Sequence, residues 1–204
     1  GVGISFIFFI PFIIYDKGYF LYYGDYNVQE IPFYRLVHDA IRNGEFFWNY
    51  KTDLGANLIG SYTFYVLGSP FFWLTLLFKS DMVPYLMGPL FILKYGFICL
   101  FGYKYLKRYV INKDLAILGA LLYTFSGFSL YNIFFFHFHE ALITFPILLS
   151  AFDSYMYEKK RGVFALAVFF SAIVNYYFFV GQIVFLIIYW LVKVISGLWK
   201  INFK

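Results

Sequence analysis

The sequence predicts an all-α fold, a polytopic bundle of about six transmembrane helices with a long outer loop of interfacial helices. Three observations lead to this prediction. Of the 204 residues, 62% are hydrophobic, 27% aromatic and only 13% charged, whereas a soluble domain is about 45–50% apolar and about 25% charged. Apolar runs recur along the chain, and acidic and basic residues concentrate in different loops. The composition excludes a soluble globular domain and a disordered chain.

Six runs are candidates for crossing the membrane, since a transmembrane helix needs about 20 mostly apolar residues. The first run has no basic region before it and no small-residue cleavage site after it, so we expect a transmembrane helix clipped at Gly1 rather than a signal peptide. The lone cysteine, Cys99, excludes a disulfide framework or a Cys-rich metal site. The six runs are residues 1–15, 85–106, 115–135, 141–157, 163–178 and 181–199.

The distribution of charge predicts the orientation of the bundle. Basic clusters lie around Arg108, around Arg161 and in the tail at residues 193–204. The long segment 16–84 holds seven of the 11 acidic residues against five basic ones, a net charge of −2. Because Lys and Arg favour cytoplasmic loops, we expect this segment outside the cell and the three basic clusters inside.

This orientation requires that the apolar run Tyr62–Phe78 does not cross the membrane. The run has 17 residues and is interrupted by Gly68-Ser69-Pro70. Proline removes a backbone donor and disfavours helix at the residue before it. We therefore expect two short juxtamembrane helices. A single tilted crossing is the alternative, and it would place the clusters around Arg108 and Arg161 outside.

An amphipathic helix is predicted in the loop from Gln29 onward. Apolar residues recur at helical spacing, Pro32 suits a first turn, and Gly44 suits the left-handed position after a helix end. Such a helix lies flat in the membrane interface. Its apolar face is Phe33, Leu36, Val37, Ala40 and Ile41, and its polar face is Arg35, His38, Asp39 and Arg42.

Several short motifs follow one another through this loop. They are Gly24-Asp25, Gln29, Pro32-Phe33, Arg35, Gly44, Trp48-Asn49, Gly55 with Asn57, and Ser69-Pro70-Phe71. Their order resembles the first outer loop of the YfhO family of bacterial polytopic membrane proteins. The resemblance continues through Lys94 and Asn175-Tyr176 to the end of the chain.

The resemblance implies a glycosyltransferase of GT-C architecture that is much longer than this chain. Residues 1–204 are then the amino-terminal part of one GT-C-like membrane domain, with the first extracellular loop at 16–84 and transmembrane helices at 85–204. The implied enzyme moves a sugar from a polyprenyl-phosphate carrier to lipoteichoic or wall teichoic acid, on the outer face of the bacterial plasma membrane. A carrier-loading glycosyltransferase and a flippase act before it, and nucleic acid is not an implied partner.

Asp25 is the residue to which the resemblance assigns catalysis. Inverting glycosyl transfer needs a carboxylate that accepts the proton of the acceptor hydroxyl as the sugar is attacked. Asp25 lies about ten residues after the first apolar run and just before the predicted interfacial helix. A polyprenyl phosphate presents its head group at that depth. The alternative is a loop aspartate that only caps the turn after Gly24.

Arg35 and Lys94 are the candidates for binding the lipid phosphate. A guanidinium binds phosphate oxygens through two donors at once. An ionisable residue inside a membrane helix, such as Lys94, usually faces the bundle interior or a wet cavity. The alternative for Lys94 is a salt bridge, with Glu140 or Asp25, that only stabilises the bundle.

The other candidates are expected to contact the donor or the acceptor. No cofactor is certain: His137, His139 and Glu140 could hold a divalent metal, but their spacing is no established ligand motif, and a cavity-lining role is favoured. A transporter or lipid-linked-sugar flippase is the competing function, although transporters generally carry paired broken helices at the midplane. A non-catalytic scaffold for envelope assembly is a third. The remaining substrate-binding candidates are Gln29, Trp48, Asn49, Asn57, His139, Glu140, Asn175 and Tyr176.

Overall fold

The computed structural model describes residues 1–199, and its helices confirm an all-α membrane protein. The α-helices are α1 (Val2–Tyr15), α2 (Ile31–Arg42), α3 (Leu58–Tyr62), α4 (Pro70–Thr75), α5 (Val83–Leu106), α6 (Lys113–Thr124), α7 (Gly127–Tyr131), α8 (His139–Glu158), α9 (Arg161–Val174) and α10 (Tyr176–Ile195). The long loop also carries an antiparallel hairpin of two short strands, β1 (Trp48–Asn49) and β2 (Ala56–Asn57). Single π or 3₁₀ turns lie at Tyr26–Glu30, Thr63–Leu67, Ser80–Met82, Asn132–Phe134 and Phe136–Phe138.

Three helical stretches are long and apolar enough to cross a bilayer, and they are Ser80–Leu106, Lys113–Phe134 and Tyr176–Ile195. α1 and α9 are apolar but have 14 residues each. At 1.5 Å per residue they are about 21 Å long, against a hydrocarbon core of about 30 Å. Of the six predicted spans, three therefore meet the length and composition of a full crossing within residues 1–199.

Two of the predicted spans are broken where a polar side chain caps a new helix. The run predicted at 115–135 breaks at Ser126, which caps α7. The run predicted at 163–178 ends at Asn175, which caps α10 three residues before the predicted boundary. A side-chain acceptor at a helix start satisfies one of the backbone donors that the helix leaves unpaired. The stretch Lys113–Phe134 remains long enough to cross despite its break at Ser126, whereas the break at Asn175 limits α9 to 14 residues.

α5 is the central helix of the bundle. It packs against α1, α6 and α8, and α8 packs in turn against α9. One apolar core surrounds α5 and includes α2 and α4, and a second lies between α8, α9 and α10. Large apolar side chains of α9 and α10 face outward. Outward apolar faces are expected where the surrounding solvent is lipid, which is as apolar as these side chains.

The loop run Tyr62–Phe78 is two short helices, as predicted, with the break at Gly68. Ser69 caps α4, and Pro70 occupies its first turn, where proline loses no hydrogen bond. Gly68 lies directly against the end of α9, because a Cβ placed on it would clash with the carbonyl oxygen of Ile173. A backbone contact therefore joins the loop to the bundle.

α2 is more deeply covered than the sequence predicts. Val37 and Ala40 are buried on the predicted apolar face, and Gly44, with φ of 79°, ends the helix as predicted. His38, which was predicted on the polar face, is fully buried, and its Nε2 lies 3.1 Å from the carbonyl oxygen of Phe78. The segment that follows α4 crosses over α2 at His38, so α2 is buried on a second face as well as on its apolar face.

The basic residues gather at one end of the bundle, in agreement with the charge pattern. Arg108, just after α5, donates to the hydroxyl of Ser154 near the end of α8 at 2.9 Å. Lys193, in the last turn of α10, lies beside the same segment. Lys200 and Lys204 of the predicted basic tail lie outside the described residues.

Candidate functional site

Lys94 lies in the middle of α5 and is fully buried. Its Nζ lies 2.8 Å from Oε1 of Glu140, in the first turn of α8, and 3.3 Å from the centroid of the Phe136 ring. It also donates a hydrogen bond to the carbonyl oxygen of Phe136 at 2.9 Å. A buried ammonium needs a counter-charge and acceptors in place of water. Of the two alternatives for Lys94, the geometry shows the salt bridge with Glu140.

A second buried acid–base pair is coupled to the first. Nδ1 of His137 lies 2.6 Å from Oε1 of Glu30, and both side chains are 1% exposed. Burial raises the pKa of Glu30; the hydrogen bond and charge of His137 and the charge of Lys94 oppose this rise, while the charge of Glu140 adds to it. The sequence-based candidates did not include Glu30. Its only signal is a lone carboxylate directly before the apolar start of α2.

Ser69 and Tyr34 connect the Lys94–Glu140 pair to the loop. The Ser69 hydroxyl donates to Glu140 and lies 3.2 Å from the Tyr34 hydroxyl, which donates to it. Burial raises the pKa of Tyr34 well above its ordinary value, so this hydroxyl keeps its proton. We call six side chains the buried cluster: Tyr34, Ser69, Lys94 and Glu140, which these contacts join, and the neighbouring pair Glu30 and His137, which senses the charges of Lys94 and Glu140.

His139 and Asn175 hold the helix ends next to the buried cluster. Nε2 of His139 lies 2.9 Å from the carbonyl oxygen of Ser129, and the Asn175 amide donates to the carbonyl oxygen of His137 at 3.4 Å. The structure therefore brings both candidates to the end of the bundle that holds Glu140, but it turns the two histidines toward different partners. Within residues 1–199, no three His, Cys, Asp or Glu side chains are arranged to hold a metal. The geometry gives the metal alternative no support.

Asp25 lies outside the buried cluster, at the start of the π turn that ends with Glu30. Its side chain is half-exposed and, in the described part of the chain, accepts no capping hydrogen bond from that turn. Gly24 before it has φ of 62°, a left-handed conformation that glycine adopts without strain. The chain therefore turns at Gly24. The Asp25 carboxylate does not cap this turn, which was the alternative to a catalytic role.

Arg35 and Asn49 line one polar groove, of about 250 Å³, between α2 and the hairpin. Arg35 is exposed and forms an ion pair with Asp81 at 2.7 Å. Asn49 is buried, and its amide donates to Glu45 at 2.6 Å. An exposed ion pair contributes little to stability, so the guanidinium can exchange Asp81 for a ligand anion. The groove is also lined by Asp39, Glu45 and Lys51.

The remaining candidates stabilise the loop or are at least partly exposed. Trp48 pairs with Asn57 across the hairpin, and its ring packs on Gly55, where a Cβ would lie 3.1 Å from the indole nitrogen. Asn57 caps α3 by accepting a backbone hydrogen bond at 2.8 Å. Gln29 and Tyr176 are partly exposed. The structure does not gather these residues into the buried cluster.

The fold and this site define a helical membrane protein that encloses two buried acid–base pairs. A family model described as "Bacterial membrane protein YfhO" matches residues 1–204. The chain therefore belongs to the YfhO family, as the loop motifs predicted. No curated protein and no solved structure matches the chain.

Proposed function

We propose that this protein is a membrane glycosyltransferase that moves a sugar from a polyprenyl-phosphate carrier to a cell-envelope polymer of the teichoic acid type. Membership of the YfhO family supports the proposal, because the resemblance implies the GT-C architecture. The proposed reaction takes place at the outer face of the bacterial plasma membrane, on the side of the long loop. A carrier-loading glycosyltransferase and a flippase supply the donor.

The free carboxylate of Asp25 is the observation that carries this proposal. Asp25 is half-exposed and begins the same π turn whose last residue, Glu30, is fixed to the bundle by His137. A partly exposed carboxylate on a turn that is anchored to the bundle suits a general base. As the acceptor hydroxyl attacks C1 of the sugar, Asp25 accepts its proton, and the lipid phosphate leaves with the electrons of the broken bond.

Arg35 is the proposed partner of the departing phosphate. It lies in the second turn of α2, and its guanidinium is exposed. Lys94 is enclosed by Glu140 and Phe136, so we assign its charge to holding the bundle together. In this proposal the exposed candidates contact the sugar or the acceptor, and they are Gln29, Trp48, Asn57 and Tyr176. The buried candidates position the elements around them, and they are Asn49, His139, Glu140 and Asn175.

A polytopic transporter or lipid-linked-sugar flippase is the second candidate function. The Lys94–Glu140 pair favours it, since ionisable side chains inside membrane helices often mark substrate or proton pathways. Glu30 and His137 add a second pair beside the first. Two neighbouring acid–base pairs inside a membrane protein are typical of coupled transport.

The deciding experiment replaces one carboxylate in the full-length protein. We expect Asp25→Asn to lower sugar transfer to the polymer at least about 100-fold, the usual loss when a general base is removed. Sugar on the envelope polymer and sugar on the carrier lipid are measured in cells that carry the variant. Asp53→Asn is the matched control, an exposed carboxylate in the same loop, and we expect it to keep wild-type transfer.

The two readouts separate the candidate functions. Loss of polymer-bound sugar, with the sugar lipid still displayed outside, supports transfer by Asp25. Unchanged polymer glycosylation rejects the catalytic assignment and favours a scaffold. Accumulation of the sugar lipid in the inner leaflet favours a flippase.

A further inference from the structure

A cavity of about 600 Å³ lies between α5, α8 and α9, at the basic end of the bundle. It has a polar mouth and an apolar depth. The mouth carries two basic side chains and two hydroxyls, from Lys104, Arg108, Ser150 and Ser154. The depth is formed by aromatic and aliphatic side chains, among them Phe101, Ile147 and Phe170.

The lining changes from polar to apolar in the same direction along the α5 wall and the α8 wall. Phe101 lies seven residues before Arg108 on the α5 wall, and Ile147 lies seven residues before Ser154 on α8. The α9 wall is apolar along its whole length, from Val163 to Phe170. Seven helical residues correspond to about 10 Å. The cavity is therefore an apolar slot about 10 Å deep beneath a cationic mouth.

The cationic mouth is held in place by the bundle. The Arg108 guanidinium donates to the carbonyl oxygen of Ser150 and to the hydroxyl of Ser154, both at 2.9 Å. Lys104 is exposed, with its ammonium 5.3 Å from the centroid of the Phe101 ring. This geometry fixes one cation and leaves the other free to reach a ligand anion.

The two carboxylates near this end of α8 already have partners. Glu158 pairs with Lys160 at 2.5 Å. Asp153 is buried and accepts hydrogen bonds from the hydroxyls of Tyr109, at 2.5 Å, and Tyr189, at 3.0 Å. Neither carboxylate forms an ion pair with Lys104 or Arg108. The hydrogen bond and charge of Lys160, and to a smaller extent the charge of Arg108, lower the pKa of Glu158.

We propose that this cavity binds an anionic phospholipid, with its phosphate at Lys104 and Arg108 and the upper part of one acyl chain in the slot. A free phosphate ion would use the mouth alone, whereas the slot needs an apolar chain joined to the charge. Val163 and Phe170 on the α9 wall are both half-exposed, so acyl chains of the bilayer reach the slot from the side. Basic pockets between membrane helices bind anionic head groups in this way.

Native mass spectrometry of the delipidated full-length protein in detergent tests the proposal. The probes are phosphatidylglycerol and phosphatidylcholine with the same acyl chains. We expect phosphatidylglycerol to bind in preference, and Lys104→Gln to weaken its binding about fivefold, the effect of removing one basic residue near an anionic lipid. Lys113→Gln makes the same charge change at the start of α6, outside the cavity lining, and we expect it to bind as the wild type does.

A second variant tests the slot without changing charge. Val163→Trp fills the exposed α9 wall, and we expect it to weaken phosphatidylglycerol binding while the protein remains folded. Equal binding of the two lipids overturns the proposal, as does an equal loss in the Lys113→Gln control or unchanged binding in both cavity variants. Displacement of phosphatidylglycerol by an equal concentration of a polyprenyl phosphate also overturns it, because the site then belongs to the carrier lipid.

Discussion

Lys94 has no access to water, so protein groups alone stabilise its charge. Glu140 supplies the counter-charge, and Phe136 supplies both a carbonyl acceptor and an aromatic face. A cation that contacts an aromatic face without water gains about 2 kcal/mol. Removing one partner of such a pair leaves a bare buried charge, which costs more than the pair itself contributes.

We expect Glu140→Gln to destabilise the protein by about 3–5 kcal/mol, because it leaves the Lys94 ammonium uncompensated. Thermal unfolding in detergent measures the loss. The double variant Lys94→Met with Glu140→Gln contains no buried charge at this position, and we expect it to be more stable than Glu140→Gln alone. The matched control is Glu158→Gln, which breaks an exposed pair on the same helix and is expected to have little effect. Equal losses in Glu140→Gln and Glu158→Gln would contradict the importance of burial.

The raised pKa of Glu30 should make the stability of the protein depend on pH. Burial raises its pKa above the ordinary value of 4.5, so between 4.5 and the raised value the folded protein binds more protons than the unfolded chain. Stability therefore falls as the pH rises through that window. We expect Glu30→Gln, which keeps a hydrogen-bonding group for His137, to remove this part of the fall. Unfolding temperatures from pH 4 to pH 8 test it, with Asp53→Asn as the control, and identical profiles for Glu30→Gln and the wild type would reject it.

The sequence predicted one of the two buried pairs. Lys94 stands out as a charge inside an apolar run, and Glu140 was one of two partners proposed for it. Glu30 and His137 are 107 residues apart, and neither local spacing nor composition connects such distant residues. The burial of His38 was also missed, because helical periodicity describes one covered face and the crossing segment covers a second.

At the scale of secondary-structure elements, the junction between the loop and the bundle depends on a glycine. Gly68 separates the two short helices that the sequence predicted, and its backbone contacts the end of α9. Its φ of −71° is accessible to any residue, so the requirement for glycine is a steric one. The sequence identified the helix break from Pro70, but the contact with α9 depends on the tertiary fold.

We expect Gly68→Ala to destabilise the protein by about 1–3 kcal/mol, because the added methyl group overpacks the contact with the Ile173 carbonyl oxygen. Gly181→Ala, in the second turn of α10, is the matched control, since a Cβ there has no neighbour within 4 Å. Alanine favours helix over glycine, so this control is expected to be as stable as the wild type or more so. Unfolding of both variants in detergent makes the comparison, and equal stability would rule out the close contact.

At the scale of the whole molecule, the bundle has two chemically different ends, as the charge pattern of the sequence predicts. Arg108 and Lys193 gather at one end, whereas His137 and Asn175 meet at the other. The orientation of these ends in the membrane follows from the preference of Lys and Arg for the cytoplasm. The long loop is then proposed to lie outside the cell.

Labelling of single cysteines tests this orientation. Cys99 is buried and is first replaced by alanine, after which Asp53→Cys and Lys113→Cys place one thiol in the loop and one at the basic end. We expect a membrane-impermeant maleimide to label Asp53→Cys in intact cells, and Lys113→Cys only after permeabilisation. Labelling of both in intact cells would mean that Tyr62–Phe78 crosses the membrane, and the reverse pattern would invert the bundle.

The sequence by itself determined the membrane environment, the family, the break in the loop and the separation of acidic from basic ends. All of these follow from local properties, namely hydrophobicity, proline and glycine positions, and charge. Only the tertiary structure decided that Lys94 pairs with Glu140 and that Glu30 pairs with His137. It also decided that the Asp25 carboxylate caps no turn. The reason is physical: burial and pairing depend on which distant segments pack together, and a buried charge acquires its partner only when the loop, α5 and α8 come into contact.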